Sequence, residues 1–490
     1  MARSVIIIGS GFAGLSAASF MAKKGWEVTV IEKNSSPGGR AAQLKEAGFT
    51  FDMGPSFYWM PDVFERYFNQ FGKKSSDYYT LKRLDPSYRV YWNDGYTDIP
   101  ASFQKLKEVF ESFEKGSGEK LEKYLEEASY KYDVGINNLV YKPALSFSEF
   151  LDWSVIKGMF RLDIITSIKT HIEKHFHHHK LRQLMEFPVL FLGALPEDTP
   201  ALYSLMNYAD IKGGTWYPDG GMYAVVEGMY KLAKELGVQF KFNENAREIV
   251  IEGKLAKRVV TMNNSYEADA VISGADYYFT ETGLLQQQYR SYSENYWHKK
   301  VMAPSCLLYY VGLNKKLRNI THHSLFFDVP FDQHGKEIYK DPRWPVEPLF
   351  YTSVSSVTDP AVAPAGCENI VFLIPVAAGL PGDTEELRER YFRMIVQRME
   401  KHIGESISDA IVYKKSYSIS DFVSDYNSFR GNAYGLANTL RQTAIFRPSC
   451  RSKKIKNLFY TGQLTVPGPG VPPSLISGEV VTRQVVKAMN

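Results

Sequence analysis

Cysteine is scarce in this chain: Cys306, Cys367 and Cys450 are the three in 490 residues, and no two share a CxxC spacing. That excludes a disulfide framework and a cysteine-built metal centre, and leaves isolated thiols suited to a reducing cytosol. Long apolar runs are missing as well. The segment Val189–Leu195 falls far short of the roughly 20 residues that cross a bilayer, and mean hydropathy is −0.27. A secretory leader is not expected, because Val5–Ile8 reads as the first strand of a folded domain. Charge of one sign is nearly balanced, 58 Lys and Arg against 54 Asp and Glu, for a net charge of +4. That is too little for a nucleic-acid partner but leaves room for an anionic membrane surface where basic residues cluster. What the chain does have is length for about two or three domains, 44% hydrophobic residues, and 32 Tyr and 30 Phe. Such aromatic content can line a large apolar cavity or simply fill a core.

The N-terminus carries the sharpest signal. Val5–Ile8 runs into Gly9-Ser10-Gly11-Phe12-Ala13-Gly14, then a helical stretch to Lys24, then a second strand, Glu27–Ile31, ending on Glu32. Strand, glycines, helix, strand and acid in register form the βαβ dinucleotide fingerprint. Gly9 permits the tight turn, Gly11 admits a pyrophosphate close to the backbone, and Gly14 lets the helix pack against the sheet. The free N–H groups and the helix dipole hold the diphosphate, while Glu32 is placed for a ribose hydroxyl. No second GxGxxG follows a strand further on; Gly213-Gly214 and Gly220-Gly221 lack the spacing. A separate NAD(P)H domain is therefore not expected, and reoxidation of the cofactor falls to an external quinone or dioxygen.

Lys33 to Arg40 continues through Pro37-Gly38-Gly39-Arg40, where the guanidinium can grip a diphosphate bidentately. An acid followed by Gly-Gly-Arg resembles the FAD-binding head of the flavin amine oxidase and carotenoid desaturase superfamily. Gly48 to Ser56, including Gly54, Pro55 and Ser56, would then enter the flavin region. At the other end, Asn457–Tyr460 reads as a strand, followed by Thr461-Gly462-Gln463. A helix from about Ser474 to Met489 follows, preceded by Val471, Pro472 and Pro473, since proline suits a first turn. The resemblance implies that this helix aims its positive end at the flavin. It also implies that backbone near Ala246 faces the adenine and that the turn through Gly274, Ala275 and Asp276 approaches the cofactor.

Taken with Thr215–Gly221, Ala363–Glu368 and the tail Leu464–Pro472, the chain resembles bacterial-type phytoene desaturases from about residue 4 to 487. The resemblance implies an α/β fold: a Rossmann-like FAD-binding domain with an inserted α+β substrate domain and a helical membrane-associating region. Residues 1–80, 215–290 and 430–490 would build the flavin domain, and 85–214 and 291–429 the substrate domain. The implied reaction is desaturation of a forty-carbon polyene, a hydride leaving to FAD and a proton from the neighbouring carbon, most simply phytoene to lycopene. Rival readings are a later-acting desaturase on hydroxylated or zeta-carotene-type substrates, a redox-neutral carotenoid isomerase, and a non-enzymatic prenyl-lipid escort protein of the same fold.

Glu149 lies where the resemblance places an acid–base residue, but its expected arginine partner three positions on is Asp152. Glu149 can equally be a turn or helix-start acid. His322-His323 reads as a structural strand-end pair. Leu151–Lys180 has helical periodicity, an apolar stripe including Ile164, Ile168 and Ile172, and a basic polar face. It is expected either to lie in a membrane interface or to pack in the core, with substrate insolubility favouring a cytoplasmic protein held peripherally on a membrane. No metal is expected: His175 and His177–His179 read as a surface patch without a carboxylate cluster.

Overall fold

The computed structural model describes residues 2–150, 166–190 and 193–489. β1 (Ser4–Ile8), α1 (Phe12–Lys23) and β2 (Glu27–Ile31) form the expected βαβ unit, β1 pairing parallel to β2 with Ile7 opposite Val30. Branched apolar residues fill β1 because a central parallel strand is covered on both faces; Val5, Ile6 and Ile7 are all buried. The sheet is completed by strands from distant parts of the chain, in the order Leu458–Tyr460, Ala270–Ser273, β1, β2, Gln239–Lys241. Three stretches separated by hundreds of residues thus meet in one parallel sheet. The C-terminal helix Val471–Met489 packs against α1, where Gly478 comes close to Ser16 and Ala17.

A second, seven-stranded mixed sheet runs Ile411–Tyr417, Ser305–Leu313, Glu368–Val376, Phe350–Ser353, His323–Phe326, Tyr88–Trp92, Gly95–Ile99. Ser305–Leu313 is buried at every residue, as suits a strand paired on both sides. The Glu385–Ile403 helix covers one face through Tyr391, Ile395 and Met399. Helices Ser117–Val134, Ile168–His175 and His179–Leu190 gather beside this sheet.

The predicted helix over 151–180 requires correction. Its part from 151 to 165, with Ile164 and Asp152, lies outside the described residues. The rest begins afresh at Ser167, whose side chain caps the Ile168–His175 helix by accepting from Thr170 N, and that helix ends at Phe176. Ile168, Ile172 and Phe176 are fully buried in the main core. This part of the apolar stripe faces protein. No helix among the described residues is long and apolar enough to cross a membrane.

Candidate functional site

A cavity of about 690 Å³ opens above the C-terminal edge of the parallel sheet and continues into the second sheet. The topology dictates the position: ligands of open α/β sheets sit beyond the carboxyl ends of the strands. Twenty of the 22 expected cofactor residues line it: Gly9, Gly11, Phe12, Ala13, Glu32, Lys33, Gly38, Gly39, Arg40, Gly54, Pro55, Ser56, Ala246, Ala275, Asp276, Gly462, Gln463, Val471, Pro472 and Pro473. Ser10 and Gly14 do not reach the wall. Ser10 is buried beneath it, its N–H and hydroxyl both donating to Glu32 Oε2 at 2.8 Å. Gly14 sits under the turn, where a Cβ would meet Gly9 O at 2.0 Å. Both therefore act through the shape of the loop.

The geometry fits a dinucleotide diphosphate. Gly9 holds a φ of +92°, and a Cβ on Gly11 would meet no protein atom closer than Gly38 O at 3.9 Å. The open space at Gly11 belongs to the cavity, so the absence of a side chain there serves a ligand rather than protein packing. Glu32 is fixed from both sides, accepting from Ser10 at Oε2 and from Asn34 N at Oε1 at 2.9 Å. That fixes its carboxylate at the cavity wall, with Oε2 accepting twice from Ser10 and Oε1 keeping one lone pair for a ligand.

Arg40 supplies positive charge at the wall. Its Nη2 donates to Ser428 Oγ at 3.0 Å and Asn432 O at 3.3 Å, while Nε is buried without a protein partner. Burial pushes the guanidinium down from its ordinary range, and Asp276 nearby opposes that. The Gln463 amide oxygen, turned toward Arg40, accepts from it at 3.2 Å. Asp276 is itself fixed by Phe279 N and Phe429 N. A buried cation with an unused donor at the cavity edge is what a diphosphate would complete.

Opposite, Pro472 and Pro473 occupy the first turn of the Val471–Met489 helix, whose N-terminus faces the cavity. Arg447, a residue with no recognisable sequence signal, shapes this wall. It donates to Leu436 O at 3.0 Å, Gln463 O at 3.2 Å and Asn438 Oδ1, and burial pushes its guanidinium down to about 10.

Beyond the fingerprint the wall turns aromatic, with Phe57, Trp59, Phe187, Phe327, Phe331 and Tyr351. Phe57 stacks on His323 at 4.2 Å. His323 begins its strand as expected, and its Nδ1 lies 2.7 Å from the Tyr351 hydroxyl, which donates to Ser56 Oγ at 2.8 Å. Burial holds both His322 and His323 neutral. Composition announced enough aromatic residues for such a wall, but not which ones, because their sequence positions share no period.

Glu149 is not brought to the cavity. Its carboxylate accepts from Ala144 N at 2.9 Å and Leu145 N at 3.0 Å, closing a turn.

A carboxylate that does face the cavity is Glu186, buried on the His179–Leu190 helix and pushed up to about 7 by desolvation. Because its folded-state pKa lies above its unfolded one, stability is lost as pH rises from about 4.5 through about 7. Glu186→Gln removes that loss. The variant is expected to unfold at a higher temperature than the parent at pH 8, by up to about 3 kcal/mol of stability, and at a similar temperature at pH 4.5. Equal differences at both pH values would contradict the assignment.

With this geometry in place, comparison with known proteins is informative. The family model for flavin containing amine oxidoreductase matches residues 12–486. The chain belongs to that family. Within it, the chain groups with carotenoid desaturases. It is 40% identical over 489 residues to the carotenoid 3,4-desaturase of Haloarcula japonica, covering 99% of this chain and 98% of that protein. It is 30% identical over 492 residues to the zeta-carotene-forming phytoene desaturase of Myxococcus xanthus, covering 99% and 94%. Among solved structures, an oxidoreductase from Methanosarcina mazei superposes with a TM-score of 0.63 at 15% identity, covering 98% of this chain and 100% of that one. That last likeness is one of fold. The cofactor of this family member is FAD.

Proposed function

We propose that the protein is a carotenoid desaturase that introduces the 3,4 double bond into a chain already carrying conjugated double bonds. The observation that carries the desaturase reading is the continuity of one cavity from the glycine fingerprint to an aromatic-walled tract. Whole-length similarity to a carotenoid 3,4-desaturase supports the position of the bond. Bound FAD supplies the two-electron acceptor. The chain's own residues do the rest. The glycine loop, Glu32 and Arg40 fix the diphosphate and ribose, and Ser56 and Tyr351 mark the passage between cofactor and substrate tracts. Phe57, Phe187 and Phe327 hold an apolar chain by shape and exclude water. Loss of hydride beside existing double bonds leaves an allylic cation that the polyene itself delocalises, so few polar side chains are required.

The second reading is conversion of phytoene to lycopene, favoured by similarity to a phytoene desaturase over the whole chain. Expression in two hosts separates them, one accumulating phytoene and one accumulating lycopene. The 3,4 reading expects unchanged phytoene in the first and a product two hydrogens lighter, with longer-wavelength absorption, in the second. Red lycopene in the phytoene host would favour the second reading; no change in either host would reject both.

Electron flow follows from the single fingerprint. NAD(P)H without carotenoid is expected to leave FAD oxidised over the time of a turnover, while a quinone or dioxygen sustains net desaturation. Rapid, saturable bleaching of the visible flavin band by NAD(P)H would contradict it. We place the protein in the cytoplasm at a membrane surface, because so apolar a substrate is available only from lipid.

A further inference from the structure

The Ile168–His175 helix carries two imidazoles one turn apart, His171 and His175, and residues four apart share a helix face. Across from them, on the Ser117–Val134 helix, stands Glu127. One donor atom from each residue lies within 4.8 Å of the other two, with His171 Nε2 3.8 Å from Glu127 Oε2. None of the three lines the cavity. Tyr124 buttresses both rings, its centroid 5.1 Å from His171 and 5.3 Å from His175, while its hydroxyl is engaged with Asn207.

We propose that Glu127, His171 and His175 bind one divalent transition-metal ion of the zinc class, tying the two helices together. Two neutral imidazoles and a carboxylate are a recurrent zinc donor set, leaving a fourth position for water. Tetrahedral zinc with bonds of about 2.0–2.1 Å needs donor atoms roughly 3.4 Å apart. The donor atoms must therefore draw in from a spread of up to 4.8 Å, and Glu127, which is exposed, is placed to follow the two imidazoles. Lys131, Lys174 and Lys120 stand near His175 and oppose any cation, which makes the Glu127 carboxylate indispensable rather than auxiliary. Because Ile168 and Ile172 are core residues and Lys169 lines the cavity, the metal would brace the helix that walls the substrate tract.

The test uses holoenzyme purified without a histidine tag, stripped with chelator, then given zinc chloride and desalted. One zinc per chain is expected, with thermal unfolding, read by released flavin fluorescence, shifted upward by several degrees. Zinc at about a hundredfold its Kd weights the folded state about a hundredfold. Glu127→Gln alters an exposed side chain and should weaken zinc binding at least about tenfold, and His175→Ala should abolish the shift. His178→Ala should change neither. Substoichiometric zinc, an unshifted midpoint, or a Glu127→Gln protein that binds like its parent would overturn the site. Loss of zinc in His178→Ala alone would move it to the neighbouring histidine run and overturn it equally.

Discussion

A Gly11→Val protein is expected to fold and to carry no FAD. In the structure an added Cβ at this position finds Gly38 O at 3.9 Å and Gly39 Cα at 4.0 Å, ordinary contacts that the backbone tolerates. Gly11 is also the N-cap of α1 at φ −70°, a conformation open to any residue. The valine methyl groups therefore intrude on the space above the loop and on little else. That space is where the N-terminus of α1 and the loop N–H groups would hold the diphosphate. Displacing it should cost at least about 4 kcal/mol, roughly a thousandfold in Kd. Gly14→Ala supplies the contrast. Its Cβ would lie 2.0 Å from Gly9 O, so that variant disturbs the turn itself and is expected to lose stability along with flavin. The ratio of flavin to protein absorbance, beside far-ultraviolet circular dichroism, separates the two outcomes. Full flavin content in Gly11→Val would show that the diphosphate lies elsewhere.

Serine at both Ile168 and Ile172 is expected to destroy the fold rather than loosen a membrane contact. Both side chains are fully buried in the main core. Removing a buried isoleucine to a small residue costs about 2–5 kcal/mol through lost burial and the cavity left behind. An unpaired hydroxyl in that cavity adds about 1–3 kcal/mol. Two such changes approach the whole stability of a typical domain, about 5–15 kcal/mol. Soluble flavoprotein should fall sharply, and any that survives should unfold at a much lower temperature. A double variant with the parent's unfolding temperature and flavin spectrum, but no affinity for anionic liposomes, would instead restore the interfacial helix.

The parts of the cofactor cradle that were legible share one property: their function is written into backbone conformation or local spacing. Gly9, Gly38 and Gly39 hold positive φ values of +92°, +120° and +55°, and a run of glycines between a strand and a helix has few other uses. Pro472 and Pro473 announce a helix start for a similar local reason.

Periodicity could not choose where a stripe had two destinations. The pattern of Ile168, Ile172 and Phe176 is the same whether its face meets lipid or protein, and the Ser167 cap that divides the segment is one small residue among many. A carboxylate's task depends on what stands beside it, and the sequence could not show that the neighbours of Glu149 are the amides of Ala144 and Leu145. Glu127 is 44 residues from His171 in the chain, so sequence inspection of the histidine run found no carboxylate beside it.

By itself, then, the sequence determined the βαβ unit and the choice of a dinucleotide, since each rests on local backbone geometry, while the meeting of the two chain ends was readable only through the family resemblance. Only the tertiary structure decided which aromatics wall the cavity, what Glu149 and Glu186 face, where Arg447 reaches and which way the 168–175 helix turns. Those are matters of burial and of partners distant in the chain, and a single strand of sequence carries neither.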